Sequence, residues 1–154
     1  MRPRLVILSA AVAVSIAGSI AVGTGAAGGS SEQARNERAT RQFVGYWMGI
    51  DPLDGGDSRR GITRNDDDTF SVIGRDTVFT LCDETDRAII TGTGVLEDKA
   101  LVVDDVVLTC FGNGATLELS VRYERIDDNT LHETVTTRAG EPVDEILFHR
   151  VSER

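Results

Sequence analysis

From residue 43 onward the chain consists of short runs rich in Val, Ile, Thr and aromatic residues, and apolar and polar positions alternate in some of them. In 115–125, the clearest segment, the apolar members are Ala115, Leu117, Leu119, Val121 and Tyr123. Because successive side chains of a strand point to opposite faces, this segment predicts a strand with one buried and one solvated face. No apolar repeat at helical spacing is long enough for a core helix. The pattern therefore predicts an all-β domain over 43–151.

Clusters of Asp, Asn and Gly divide this domain into short strands. The predicted strands are Gly45–Ile50, Arg59–Arg64, Thr69–Gly74, Val78–Cys82, Ala88–Leu96, Leu101–Thr109, Ala115–Arg125, Leu131–Thr137 and Val143–Val151. Asp104 and Asp105 interrupt the apolar texture of one of them, and 97–99 is typical of a hairpin tip. We therefore expect eight or nine strands.

The short links between these strands favour a closed sheet. Consecutive strands joined by hairpins are antiparallel neighbours, and closing them into an up-and-down barrel leaves no strand edge unpaired. A β-sandwich requires connections that cross between sheets and longer loops than most of those present. We therefore predict an eight- to nine-stranded antiparallel up-and-down barrel, with a sandwich as the alternative.

The first 27 residues have the pattern of an export signal. Arg2 and Arg4 precede the uncharged apolar run 5–22, and small residues follow it. Cleavage is predicted after Ala26 or Ala27, with a competing site at 21–23. The alternative is an uncleaved anchor, because the run approaches the roughly 20 residues that span a bilayer. No cysteine lies near the end of the run, which excludes a lipoprotein anchor.

The polar segment 28–42 predicts a linker or a short helix before the barrel. Export places the protein outside the cytoplasm, either secreted or periplasmic, where disulfides form. Cys82 and Cys110 are the only cysteines, so we expect them to be joined. Such a bridge stabilises a fold by roughly 3–4 kcal/mol. A redox or nucleophilic role is the rival interpretation, but there is no Cys-x-x-Cys spacing and no histidine close by in the sequence.

The charge of the chain excludes some partners. The net charge is −9, and loss of Arg2 and Arg4 with the signal leaves 14 basic and 25 acidic residues, a net charge of −11. Such acidity argues against binding to nucleic acid or to an anionic membrane. After cleavage we therefore expect no nucleic-acid partner and no membrane association. We also expect a monomer.

Two positions near the ends of the domain resemble a known family. Gly45-x-Trp47 opens the first predicted strand and Arg150 lies on the last, as in the lipocalins and the wider calycin superfamily. The resemblance implies that Trp47 closes one end of the barrel and that Arg150 packs across its ring as a structural lock. Cation–π attraction of this kind is worth roughly 0.5–2 kcal/mol. The chain is shorter than typical lipocalins and lacks their C-terminal helix, and the texture of 51–56 also resembles secreted bacterial proteins of unassigned function.

Catalytic and metal chemistry find little support in the sequence. His132 and His149 are available as bases, but no motif supplies a nucleophile. Asp51, Asp54 and Asp57 lack calcium-loop spacing, and a turn selects the same residue types. We therefore expect no catalytic residue, no metal site and no cofactor.

The leading functional hypothesis is a non-enzymatic, lipocalin-like barrel that binds a small, apolar molecule. The inward row of the best-defined strand would then line the ligand site, and its members are Leu117, Leu119, Val121 and Tyr123. The alternative is a filled barrel that binds a protein partner through the loop 51–58. A third hypothesis is an enzyme with a histidine-containing pocket. An apolar patch beside the loop would favour the second, and a deep pocket at His132 or His149 the third.

Overall fold

Eight antiparallel strands close into a barrel in which each strand pairs with its neighbours along the chain and the first pairs with the last. The computed structural model describes residues 41–82 and 87–152, and the strand count refers to these residues. The strands are β1 Gly45–Ile50, β2 Asp57–Arg64, β3 Phe70–Asp76, β4 Ala88–Glu97, β5 Ala100–Cys110, β6 Thr116–Arg125, β7 Thr130–Thr137 and β8 Pro142–Ser152. The predicted all-β up-and-down barrel is confirmed, and the sandwich alternative is wrong.

The predicted strand Val78–Cys82 is also wrong. β3 continues past its expected end at Gly74, and the chain then leaves the sheet and forms a 3-10 turn over Thr80–Cys82. The Cys82 amide donates to the Phe79 carbonyl oxygen at 2.8 Å. Phe79 is buried in the core, so its tertiary packing overrides the strand propensity of this segment.

Irregularities in β4 and β5 accompany closure of the sheet. The register between β5 and β6 shifts between Val103 and Val106, which is where Asp104 and Asp105 interrupt the apolar pattern. On β4, a Cβ atom added to Gly92 would lie 2.6 Å from the Val103 Cγ1 atom. Glycine therefore permits a close approach at this point, and bulges of this kind increase the bend that a barrel needs.

Alternation along the strands fills the barrel with side chains. On β6, Leu119, Val121 and Tyr123 are buried, and Leu117 is partly buried against the same core. The other strands contribute inward-facing residues that include Ile62, Phe70, Val72, Ile90, Leu101, Val103, Leu108, Leu131, Val135, Ile146 and Phe148. The inward row predicted for β6 thus belongs to one core shared by all strands.

One end of the barrel is closed around Trp47. Its indole is 1% exposed, and its Nε1 atom donates to the carbonyl oxygen of Phe43 at 2.8 Å. The Arg150 guanidinium lies 4.0 Å from the ring centroid, within cation–π range. The same guanidinium donates to the carbonyl oxygens of Val44 and Gln42, each at 2.6 Å. These contacts tie β8 to β1 and to the segment that precedes it.

The opposite end carries the disulfide. Cys82 is bonded to Cys110, their Cα atoms lie 5.5 Å apart, and both are buried. The bridge joins the turn after β3 to the end of β5, and it is compatible with an extracytoplasmic compartment.

The N-terminal predictions fall mostly on residues outside those described. The signal over 1–27 lies outside them entirely, as does all of the linker 28–42 except its last two residues. Among the described residues, no helix has the length and apolar character needed to cross a membrane.

Candidate functional site

A groove of about 800 Å³ crosses the outer wall at β1, β2 and β3 and extends to β8 on one side and to β4 on the other. This volume is within the range of small-molecule sites, about 300–1,000 Å³. The apolar side chains along the groove come from four strands and are Tyr46, Met48, Ile73, Ile89 and Val151. Tyr46, Ile73 and Val151 are 55%, 63% and 58% exposed, so large apolar surfaces here face solvent. Contiguous exposed apolar side chains in a concave surface are typical of binding sites.

The floor of the groove is a glycine. Gly61 pairs with Tyr46 on one side and with Ile73 on the other. A Cβ atom added to Gly61 would lie 3.4 Å from the Tyr46 Cε1 atom. Because glycine has no side chain, the tyrosine ring approaches the backbone of β2 and the trough between Tyr46 and Ile73 stays open.

Two arginines lie beside the row formed by Tyr46, Gly61 and Ile73, which is called the apolar row below. Arg59 of β2 and Arg75 of β3 are direct cross-strand partners, both are exposed, and both line the groove. Met48 pairs with Arg59, and Ile89 pairs with Arg75, so this row has cations at its centre and apolar residues at its ends. Neither guanidinium forms an ion pair within the described part of the chain.

A buried ion cluster lies on the inner side of the same wall. The Arg60 guanidinium is 1% exposed and binds Glu133 through two hydrogen bonds, Nε to Oε2 at 2.7 Å and Nη2 to Oε1 at 2.8 Å. Its Nη1 atom donates to the Asp76 carboxylate at 2.7 Å. Its Cζ atom also lies 5.0 Å from the centroid of the Phe148 ring. Arg60 thus joins β2, β3 and β7 across the interior.

The backbone opposite Arg60 is shaped to fit it. A Cβ atom added to Gly74 would lie 2.9 Å from both Cδ and Nη1 of Arg60. The absence of a side chain at Gly74 therefore lets the guanidinium lie along β3 and reach both acids.

The surroundings of the cluster shift the pKa values of Arg60 and of the neighbouring Tyr123. Burial acts to lower the pKa of Arg60, but the carboxylates of Glu133 and Asp76 outweigh it, so this pKa lies well above its ordinary value. Burial, followed by the charge of Glu133, raises the pKa of the Tyr123 hydroxyl well above its ordinary value. Tyr123 therefore stays protonated beside the cluster.

A second pair of acids lies where β1 ends and β8 begins. Asp51 and Asp144 are 4% and 8% exposed. The Asp51 Oδ1 atom accepts a hydrogen bond from the Leu53 amide at 2.7 Å. Burial, followed by the charge of Asp51, raises the pKa of Asp144 to about 7. Asp144 therefore takes up a proton close to neutral pH.

Replacing Asp144 by asparagine is expected to stabilise the protein at alkaline pH. The pKa of Asp144 is about 7 in the folded protein, above the ordinary 3.8. The resulting contribution to the free energy of unfolding is fully present below about pH 4 and is lost as the pH rises through 7. At pH 8 the variant removes a charge held beside Asp51, and we expect a gain of about 1–2 kcal/mol, since one unit of pKa is worth about 1.4 kcal/mol and solvent screens part of it.

Urea unfolding at pH 5 and pH 8 measures this difference. The control is Glu141→Gln, which neutralises an exposed carboxylate in the turn before β8. Equal stability of the Asp144→Asn variant and the unaltered protein at both pH values would contradict the expected ionisation.

The two histidines lie on the outer wall but outside the lining of the groove. The Nε2 atom of His132 is 3.6 Å from the Glu145 Oε2 atom on the outer wall. His149 pairs with Met48 across the β1–β8 seam, and its Nδ1 atom is 3.5 Å from the Thr130 hydroxyl. Neither histidine lines the groove.

The acidic loop 51–57 uses its carboxylates to hold turns. Asp54 Oδ1 accepts a hydrogen bond from the Gly56 amide at 2.7 Å, which parallels the bond from the Leu53 amide to Asp51. Within 41–82 and 87–152, no group of three or more His, Cys, Asp or Glu side chains is arranged to hold a metal ion.

The sequence prediction included neither the groove nor the buried cluster. A signal for the cluster was present, because Glu133 is in phase with Leu131 and Val135. The second pair of acids had a similar signal, because Asp144 is in phase with Ile146. A charged residue in phase with an apolar row predicts a buried charge. The groove carries no comparable signal, since it depends on which residues of three strands lie side by side.

Comparison of the chain with family models, with curated proteins and with solved structures finds no match. The candidate site is therefore defined by contacts within this barrel alone. It consists of an apolar groove with two arginines on the outer wall and an ion cluster behind it.

Proposed function

We propose that this protein is a non-enzymatic, extracytoplasmic binding protein that holds a small, mostly apolar molecule in the groove of its outer wall. The observation that carries the proposal is the open trough over Gly61, bounded by Tyr46 and Ile73, in a groove of about 800 Å³. A monomer exposing these side chains to water gains stability when an apolar molecule covers them.

The packing of the barrel interior favours a ligand site on the outer wall. Leu119, Val121 and Tyr123 pack into the core at 1–3% exposure, and Arg60 and its two acids are buried in the same interior. A ligand inside would have to displace core side chains or a charged network, whereas the outer groove needs no rearrangement. The inward row that includes Leu117 remains the alternative wall, and the experiment below separates the two.

We also propose that the barrel is lipocalin-like and that the protein is not an enzyme. The stacking of Arg150 on Trp47 supports a lipocalin-like barrel, and the disulfide supports export. The non-enzymatic character is supported by the position of His132, which faces an exposed glutamate on the outer wall rather than a pocket. The protein is proposed to act as a monomer without nucleic acid or membrane.

Titration calorimetry with 1-dodecanol and with laurate, below its micelle concentration, tests the proposal. Replacing Gly61 by valine fills the floor of the groove while suiting a strand, and we expect it to weaken binding of both probes at least about tenfold, or about 1.4 kcal/mol. The control is Thr134→Val, which places a valine on the outer face of β7, away from the groove, and is expected to leave binding unchanged.

Two outcomes contradict the proposal in different ways. If neither probe binds the unaltered protein, the binding function is wrong. If both bind equally well to the Gly61→Val variant, and methyl NMR shifts on binding occur at Leu119 and Val121 rather than at Ile73, the ligand lies inside the barrel. Native mass spectrometry of protein purified from its own host adds an independent readout, since a retained adduct supports the binding function.

A second candidate function is favoured by a separate observation. Ile50 and Leu53 are 58% and 68% exposed at the start of the predicted interaction loop 51–58, of which 51–56 form the connection between β1 and β2. Exposed apolar side chains on a loop are typical of protein interaction sites. If the dodecyl probes fail and Leu53→Ser removes association with a protein partner, this alternative replaces the first.

A further inference from the structure

We propose that the groove recognises a single-chain anionic amphiphile, an alkyl carboxylate, whose head group is held by Arg59 and Arg75. This inference rests on the proposed function and specifies its ligand. Guanidinium groups present paired N–H donors that match the two oxygens of a carboxylate, so two adjacent arginines form a suitable seat for one anionic head.

The pairing of the two arginines is unfavourable without such an anion. Arg59 and Arg75 are direct partners between β2 and β3, and like charges directly opposite on neighbouring strands destabilise a sheet. The chain has 25 acidic residues, yet none of the described ones forms an ion pair with either guanidinium. An anionic ligand would relieve this repulsion and pair with both cations.

Other arginines of the barrel do have partners. Four pair with carboxylates on the surface, one is held by two buried acids and one donates to backbone carbonyls. In order, these are Arg64, Arg122, Arg125, Arg138, Arg60 and Arg150. Arg59 and Arg75 differ from these six, since neither guanidinium is held by an ion pair or by backbone carbonyls within the described residues.

The apolar row and the neighbouring row that contains Arg59 and Arg75 set the orientation of the ligand. On each strand the arginine is two residues from the apolar row, which places the two rows about 7 Å apart on the same face. The alkyl chain then lies in the trough over Gly61, between Tyr46 and Ile73, while the carboxylate reaches the neighbouring arginine row.

The charge and shape of the surface favour a single molecule over a membrane. The groove is concave and holds a discrete volume, whereas a bilayer surface contacts convex or flat patches. The chain carries a net charge of −9, so an anionic bilayer repels most of the protein. A monomeric amphiphile avoids that repulsion because it contacts the groove alone.

Calorimetric titration with laurate, 1-dodecanol and dodecyltrimethylammonium tests the head-group preference. These probes share one alkyl chain and differ in charge. We expect laurate to bind at least about tenfold more tightly than dodecanol, as for a charge-assisted hydrogen bond, and the cationic probe to bind most weakly. Added salt is expected to weaken laurate binding and to leave dodecanol binding unchanged.

Arginine variants test whether Arg59 and Arg75 cause the preference for laurate over dodecanol. We expect Arg59→Gln combined with Arg75→Gln to remove the preference for laurate while retaining dodecanol binding, and each single variant to have an intermediate effect. The control is Arg122→Gln, which neutralises a surface arginine of β6 that already has a glutamate partner. Far-UV circular dichroism verifies that the variants fold, which is expected because the substitutions remove a like-charge contact.

Each outcome has a distinct meaning. Equal affinity for laurate and dodecanol would refute the anionic head group and leave the binding function intact. Failure of all three probes would refute both. Binding to vesicles of phosphatidylglycerol without binding of monomeric laurate would refute the single-molecule ligand in favour of a membrane surface. Retention of the laurate preference in the double variant would refute the role of the two arginines.

Discussion

Replacing Arg60 by methionine is expected to destabilise the protein by about 3–5 kcal/mol, because the substitution leaves buried carboxylates without their cation. Glu133 and Asp76 are at most 1% exposed, and each receives a hydrogen bond of 2.7 Å from Arg60. Urea unfolding followed by the fluorescence of Trp47, the single tryptophan of the chain, measures the loss.

Two companion variants separate loss of the ion cluster from a general effect of removing an arginine. Arg122→Met removes a surface guanidinium whose partner Glu124 is exposed to solvent, and we expect a cost of at most about 0.5 kcal/mol. Arg60→Met combined with Glu133→Leu and Asp76→Asn removes the buried charges together, and most of the lost stability is expected to return. A single Arg60→Met variant as stable as Arg122→Met would show that the cluster does not support the fold.

Replacing Trp47 by alanine is expected to cost about 3–5 kcal/mol, the range of large-to-small changes in a packed core. The substitution leaves a cavity at the closed end of the barrel. It also removes the hydrogen bond to the Phe43 carbonyl oxygen and the ring beneath Arg150. Because the variant lacks the only tryptophan, far-UV circular dichroism in urea is the suitable measurement.

Trp47→Phe is the matched control for the aromatic contact. Phenylalanine keeps an aromatic face for Arg150 but lacks the indole N–H and part of the volume, so we expect a smaller loss than for alanine. A near-neutral Trp47→Ala variant would mean that the indole does not close the barrel, and the comparison with lipocalins would lose its physical basis.

The barrel was predictable because its strands are short, alternating and joined by tight turns. In β6 the alternation of Leu119, Val121 and Tyr123 with polar residues is sufficient to identify the buried face. The exception, Val78–Cys82, has strand-like residues but leaves the sheet because Phe79 packs in the core and Cys82 is bonded to Cys110. Such long-range contacts are not visible in local propensity.

The buried ion cluster could be predicted from the sequence only in part. The phase of Glu133 between Leu131 and Val135 indicates an inward charge, but its partner Arg60 is 73 residues away. Nothing local to β7 identifies that partner, since the pairing follows from closure of the barrel. The groove could not be predicted from any single segment, because Tyr46, Gly61 and Ile73 become neighbours only through the registers of β1, β2 and β3.

The order of the strands has a consequence for how the chain folds. Within the described residues, seven of the eight pairings join consecutive strands, and the eighth joins β1 to β8. The hydrogen bond from Arg150 to the Val44 carbonyl oxygen spans 106 residues, so closing the ring costs the most chain entropy and comes after the hairpins. Until then both outer strands present unpaired edges that invite association between chains. The contacts that lock the seam thus also keep these two edges paired, and so protected from association, once the barrel has closed.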